Sequence, residues 1–241
     1  TTTSDVSSWA HLARDAGGMR DTDDLDRKKE IYSEGENALM EDGTTKRSLA
    51  SLSLDSFELM KGDPMYSYFR HGFLDLGVEV EGETLGNFDN RPVSEYANTL
   101  VNDLFRLNVS SSIETDAAVV MSVWMMVVHQ LYEMLRACQA NDSSGSLTEA
   151  LDIAVALWVG SDQERGDADS GNLLYHMAQQ AGAPFEESNE LDGETTMNAL
   201  IMEEFKALQD DINALDSCAA PNGYRNMRLV IRRRIGYMTV P

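Results

Sequence analysis

SLTEALDIAVALWVGSDQERGDADSGNLLYHMAQQAGAPF, residues 146–185, is the stretch whose reading decides the fold. It reads as two helices joined by a polar, acidic, glycine-containing loop. Ser146 followed three residues later by Glu149 has the layout of a capping box, and Leu151, Ala154, Val155 and Trp158 then recur at the i, i+3, i+4, i+7 spacing of one apolar helical face. Gly160 closes that helix. The second helix is expected to open at Asp169 or Ser170, either of which can accept from the free amides of a first turn. It would run Leu173, Leu174, Met177, Ala178 and Ala181 along one face and end at Gly182. Between the helices Asp162, Glu164, Asp167 and Asp169 face one arginine. Such a loop is either a solvated surface turn or a place where something charged is held.

Upstream and downstream the same helical period recurs. Val6, Trp9, Leu12 and Ala13 suit a short docking helix, and a helix from Asp24 places Ile31, Tyr32 and Leu39 inward with Gly35 as an interruption. Residues 64–76 hold the densest aromatic cluster, and residues 77–90 read as a loop or short hairpin. Pro92, at a helix N1 position, opens a stripe of Val93, Tyr96, Ala97, Leu100, Val101, Leu104 and Phe105. Thr115 to Gln139 is apolar nearly all round before His129 and is expected to be the central buried helix. Its longest apolar run, Ala117 to Val128, is twelve residues, too short to cross a bilayer. Met197 to Leu215 and Met227 to Met238 supply two further amphipathic stripes, the last with five arginines that serve mainly as partners for the acidic remainder.

The fold class is therefore mainly α and helical bundle-like, open to a division into two pseudo-symmetric helical lobes. NDSSG, residues 141–145, is the best linker, giving an N-terminal segment 1–22, a lobe 23–140, the linker and a lobe 146–241. A weak internal repeat points the same way. Gly35 to Leu49 and Gly160 to Leu174 are the same fourteen steps apart, each running from a helix-ending glycine through an acidic loop to a helix that begins with leucines.

With 41 acids against 19 bases the formal charge is −22, which excludes a generic nucleic-acid binder and disfavours an anionic membrane surface. Such a chain attracts cations, or is simply soluble in a salty or extracellular medium. Two cysteines, Cys138 and Cys218, allow a single disulfide between the halves and do not make a metal-site signature. The sequons at Asn108 and Asn141 fit a secreted glycoprotein, and a chain running from Thr1 to Val240-Pro241 fits a mature or excised ectodomain.

Enzyme signatures are absent: no phosphate loop, nucleophile elbow or His-Glu-x-x-His occurs, and the four histidines are scattered. What the chain offers is hard oxygen, eight tyrosines and many carboxylates, the donors that ferric iron or calcium prefers. Thr45, Lys46 and Arg47 sit where a helix begins, so a small anion could be held there, although pairing of the two bases with nearby carboxylates is the commoner arrangement.

Three segments carry a family resemblance: IYSEGENALMEDGTTKRSLASLS (31–53), ALWVGSDQERGDADSGNLLYHMAQQAGAPF (156–185) and VIRRRIGYMTVP (230–241). They resemble the iron-assimilatory, Fea-type and phytotransferrin proteins of green algae and diatoms. The resemblance implies a non-enzymatic, secreted or cell-surface ectodomain that takes part in iron uptake and binds Fe3+ with carbonate as synergistic anion. Carried onto this sequence, it implies Tyr32, Tyr175 and His176 as ligands, a carboxylate from Asp167 or Asp169, and Thr45, Lys46 and Arg47 around the anion. Tyr96 is a further candidate. Each tyrosine also fits as a core-edge aromatic, and the iron reading expects the two loops of the repeat to converge on one cleft. The rival is a cell-surface interaction or adhesion module whose acidic loops solvate or bind calcium weakly.

Overall fold

The computed structural model describes residues 6–60, 62–63, 79–80, 83–84, 95–140, 145–182 and 193–213. The aromatic cluster of residues 64–76, the Pro92 helix start, linker residues 141–144 with the Asn141 sequon, Cys218 and the arginine-rich last helix lie outside the described residues. The architecture is mainly α. Its helices are α1 (Ser7–Ala10), α2 (Leu12–Arg20), α3 (Leu25–Glu34), α4 (Leu49–Leu54), α5 (Ser56–Met60), α6 (Tyr96–Leu107), α7 (Ser111–Ala140), α8 (Ser146–Val159), α9 (Leu174–Gly182) and α10 (Thr196–Asn213). One antiparallel hairpin, β1 (Glu79–Val80) with β2 (Glu83–Thr84), is added. The chain divides into two compact units, His11–Met126 and Thr1–Ala10 with Val127–Pro241, and the division falls inside α7.

In the first unit α3 packs against α2, α4 and α6, and α4 against α6. Asp24 caps α3 by accepting from the amides of Asp26 and Arg27 at 3.0 and 3.2 Å. The helix stops at Glu34 because Gly35 takes φ +68°, and a Cβ there would lie 2.3 Å from the Arg47 carbonyl oxygen. Glycine is thus required twice over, by dihedral and by space. Leu39 therefore falls outside the helix, in an isolated bridge to Lys46, and is exposed. The following turn is tied by Asp42, whose carboxylate accepts from the amides of Thr44 and Thr45 and from the Thr45 hydroxyl. Ser48 and Ser51 then form the capping box of α4.

Apolar side chains from all these helices make the core: Leu12, Met19, Ile31, Leu49, Leu52, Val101 and Phe105. Within it lies a charged pair. Lys28 of α3 and Glu114 of α7 have side chains 2% and 0% exposed, and Nζ lies 2.7 Å from Oε2. Asp15 of α2 is also fully buried; its Oδ1 accepts from the amides of Glu36 and Asn37 and from Asn37 Nδ2. Burial raises its pKa against the pull of those donors.

In the second unit α8 packs against α1, α9 and α10, and α9 against α10. Of the expected face Leu151, Ala154, Val155 and Trp158, all but the half-buried Val155 are buried. Two helix starts differ from expectation. Gly145 is the N-cap of α8, with no side-chain capping bond, so Ser146 is its first helical residue. And α9 begins at Leu174, because Gly171 at φ +70° breaks the chain after Ser170, whose hydroxyl is spent within the loop on Gln163 and the Glu164 amide. Gly160, at φ +78° and ψ 175°, ends α8 much as Gly35, at φ +68° and ψ 163°, ends α3. Fourteen steps beyond each glycine the next helix, α4 or α9, begins at a leucine.

The twelve-residue apolar run is only part of α7. This helix has 30 residues and is long and apolar enough to cross a membrane by length and composition, yet 72% of its most apolar window is buried inside the protein. Cys138, near its end, is buried and disulfide-bonded.

The Lys28–Glu114 pair has a measurable signature. Removing one partner leaves the other charge buried and uncompensated, so Glu114→Gln or Lys28→Met is expected to cost roughly 3–5 kcal/mol. The double replacement Lys28→Met/Glu114→Leu should cost much less than the sum of the two singles. Urea denaturation of all three variants checks this through the midpoints and slopes.

Candidate functional site

Helix α9 positions the site. Tyr175 and Gln179 are four residues apart and so share one helical face, and both are buried. Gln179 acts as a clamp. Its Nε2 donates to the carbonyls of Gly166, at 3.1 Å, and Gly193, at 2.6 Å, while its Oε1 accepts from the Thr195 amide at 3.0 Å. Asn198 of α10 completes the knot: its Nδ2 donates to the Tyr175 carbonyl at 2.9 Å and to Gln179 Oε1 at 3.2 Å, and its Oδ1 accepts from Trp158 Nε1 at 3.3 Å. Helix α8, the loop at Gly166 and the start of α10 are fixed around α9 by two amide side chains.

The loop at 160–173 is closed from within. Gln163 Nε2 donates to the carbonyls of Glu164 and Asp167 and to the Ser170 hydroxyl, and Asp167 Oδ1 accepts from the Asp169 amide at 2.9 Å. His176 Nδ1 lies 3.0 Å from the Ser170 carbonyl oxygen, so the bond needs the proton on Nδ1. Gly166, at φ +74°, turns its amide onto the Tyr175 hydroxyl at 3.0 Å.

That hydroxyl donates in turn to Glu194 Oε1 at 2.8 Å. Glu194 Oε2 receives Arg165 through both Nε, at 3.1 Å, and Nη2, at 3.0 Å. The pair is asymmetric: the Glu194 side chain is 2% exposed and that of Arg165 68%. Burial pushes the Tyr175 phenol up to about 12; the Gly166 amide works against the rise and the Glu194 carboxylate adds to it. Tyr175, Glu194 and Arg165 border a cavity of about 600 Å³, with Val159 and Met202 as apolar wall and Lys206 on its rim.

The sequence candidates distribute as follows. Tyr175 lines this cavity, while Asp167, Asp169 and His176 do not. Asp169 is exposed, and Asp167 and His176 are occupied with loop geometry. Tyr32, Tyr96, Thr45, Lys46 and Arg47 belong to the first unit. There Tyr32 is a core residue, edge-on to Phe105 at 5.5 Å, with a hydroxyl that makes no full hydrogen bond. Its burial pushes the phenol up to about 12, offset only in part by the Ser53 and Ser122 hydroxyls. Tyr96 is the half-buried first residue of α6. Thr45 is taken up by Asp42, and Lys46 is exposed. Desolvation lowers the Arg47 pKa to about 10, with Asp55 as the opposing charge. Among the described residues no three His, Cys, Asp or Glu side chains gather as a metal cage.

Sequence reasoning missed Glu194, Gln179, Asn198 and Lys206. Glu194 follows an Asp192-Gly193 turn signal and precedes the threonines at the start of α10, which marks a helix entrance but not a buried carboxylate. No protein-family model, curated protein or solved structure matches the chain.

Two buried phenols, Tyr32 and Tyr175, tie stability to alkaline pH. A phenol raised from 10 to about 12 in the folded state contributes stability that is intact below pH 10 and is lost as pH rises towards 12, because the unfolded chain ionises first. Ultraviolet difference titration is therefore expected to show Tyr32 and Tyr175 ionising late, close to the alkaline unfolding transition. Tyr175→Phe should remove one of them and cost about 1–2 kcal/mol, from the lost bonds to Glu194 and Gly166.

Proposed function

We propose that this chain is a non-enzymatic ferric-iron-binding protein, secreted or at the cell surface, that takes part in iron uptake and holds the metal together with a small anion. Carbonate is the anion that the resemblance implies. The observation that carries the reading is the Tyr175–Glu194 pair, two hard oxygens 2.8 Å apart on a cavity that Arg165 and Lys206 also line. Phenolate and carboxylate are ferric donors, and the cations suit an accompanying anion. The equal spacing from Gly35 to α4 and from Gly160 to α9, the two segments of closest family resemblance, adds support.

The Tyr175 proton lies in its bond to Glu194, so a ferric ion would replace that proton and draw Glu194 away from Arg165. The guanidinium would then meet the anion. Protons compete for the phenolate, the carboxylate and carbonate alike, so affinity falls as pH falls. The interaction-module reading has one observation of its own, the run of exposed apolar side chains Leu107, Val109 and Ile113 around the α6–α7 turn.

Titration of the protein with ferric iron in bicarbonate separates the two. Saturable binding with a tyrosinate-to-iron visible band, bleached by acid and reduced at least tenfold in affinity by Tyr175→Phe, is expected. Absence of both band and saturation would leave the interaction module.

A further inference from the structure

The second-unit cavity is large for a bare ion and its carbonate. A volume of about 600 Å³ falls in the range of small-molecule sites, roughly 300–1,000 Å³. Among the described residues its anionic oxygen donors are few, Tyr175, Glu194 and Glu203. Tyr175 and Glu194 are bonded to each other, and among the described residues no three His, Cys, Asp or Glu side chains gather to complete an oxygen shell. A hard trivalent ion here would take most of its oxygens from something other than the protein.

The remaining lining describes that other component. Arg165 projects with a side chain 68% exposed, and Lys206, exposed on α10, has no ion pair among the described residues despite the chain's charge of −22. Val159, Ala199 and Met202 add an apolar wall suited to a carbon skeleton. Glu203, one turn before Lys206, opposes a purely anionic guest and favours one that also presents a hydroxyl or a cationic centre.

We infer that this cavity takes iron as a small anionic hydroxycarboxylate chelate, whose carboxylates are held by Arg165 and Lys206. The inference rests on the ferric-binding reading and replaces carbonate by a chelator that brings most of the metal's oxygen ligands with it. Recognition is then mainly of the ligand's carboxylates, with Tyr175 and Glu194 facing the metal side of the complex.

Calorimetric titration tests it, with ferric citrate, metal-free citrate and freshly dissolved ferric chloride in bicarbonate as probes. Wild type, Arg165→Gln, Lys206→Gln and the control Lys29→Gln, which is not part of the cavity lining, are compared. Arg165→Gln unpairs the buried Glu194, so its folding is checked by circular dichroism; Lys206→Gln alters only an exposed residue and serves if the first variant is unstable. The expected result is saturable 1:1 binding of ferric citrate, weakened by about 3–10-fold in each cavity variant and unchanged in the control. Binding of iron from bicarbonate with a phenolate band, together with no affinity for ferric citrate, would overturn the inference and leave ferric binding standing. Metal-free citrate binding without ferric citrate binding would overturn it, and failure of every ferric probe would overturn both.

Discussion

The second unit depends on two buried amides. Gln179 and Asn198 are themselves buried, and each unmet buried donor or acceptor costs about 1–3 kcal/mol. Their four polar ends therefore take up the carbonyls of Gly166, Tyr175 and Gly193, the Thr195 amide and the Trp158 indole. The consequence is positional. With Gly166 and Gly193 tied to one side chain, Tyr175 and Glu194 are brought to 2.8 Å and the loop that carries Arg165 is held against them. The cavity is shaped by this knot more than by its own lining.

In the first unit a carboxylate has the corresponding task. Asp15 receives two amides and an amide side chain of residues 36 and 37, just beyond the glycine that ends α3, and so fixes the entry of the following loop. Helix, left-handed glycine, loop and helix recur in both units with the same spacing from the glycine to the second helix, and in each unit a later helix, α6 or α10, packs on both. What fills the loops differs. The 36–48 segment closes as a bridged turn around Asp42, whose three hydrogen bonds hold its carboxyl at about 2. The 161–173 segment closes around the side chain of Gln163 and presents Arg165 outward. The shared backbone thus carries two kinds of loop, and among the described residues only the second borders the phenol–carboxylate–guanidinium group.

Charge is handled locally. Among the described residues most acids sit at helix starts, turns and exposed faces, where hydration supports them, while three of the buried ones are held by close partners: Glu114 by Lys28, Glu194 by Tyr175 and Arg165, and Asp15 by the amides of residues 36 and 37. A large negative total and a few well-partnered interior charges are therefore compatible.

The sequence by itself determined what depends on short-range pattern. The mainly α class, the buried Leu151, Ala154 and Trp158 of α8, its end at Val159, and the equal spacing behind Gly35 and Gly160 follow from 3.6-residue periodicity and from the few residues that tolerate positive φ, whereas α9 buries Tyr175, His176 and Gln179 in place of the expected Met177, Ala178 and Ala181, and α3 stops at Glu34, short of Leu39. Only the tertiary structure decided which polar groups would meet. Tyr175 was legible as a candidate, but its partner Glu194 is nineteen residues away, Asn198 is forty from Trp158, and Glu114 is eighty-six from Lys28. Asp169 and Ser170 had the chemistry of helix caps, but the turn at Gly171 leaves Asp169 exposed and the Ser170 hydroxyl bonded inside the loop. A carboxylate on the page carries no mark of its burial, because desolvation and pairing are set by what the rest of the chain packs against it.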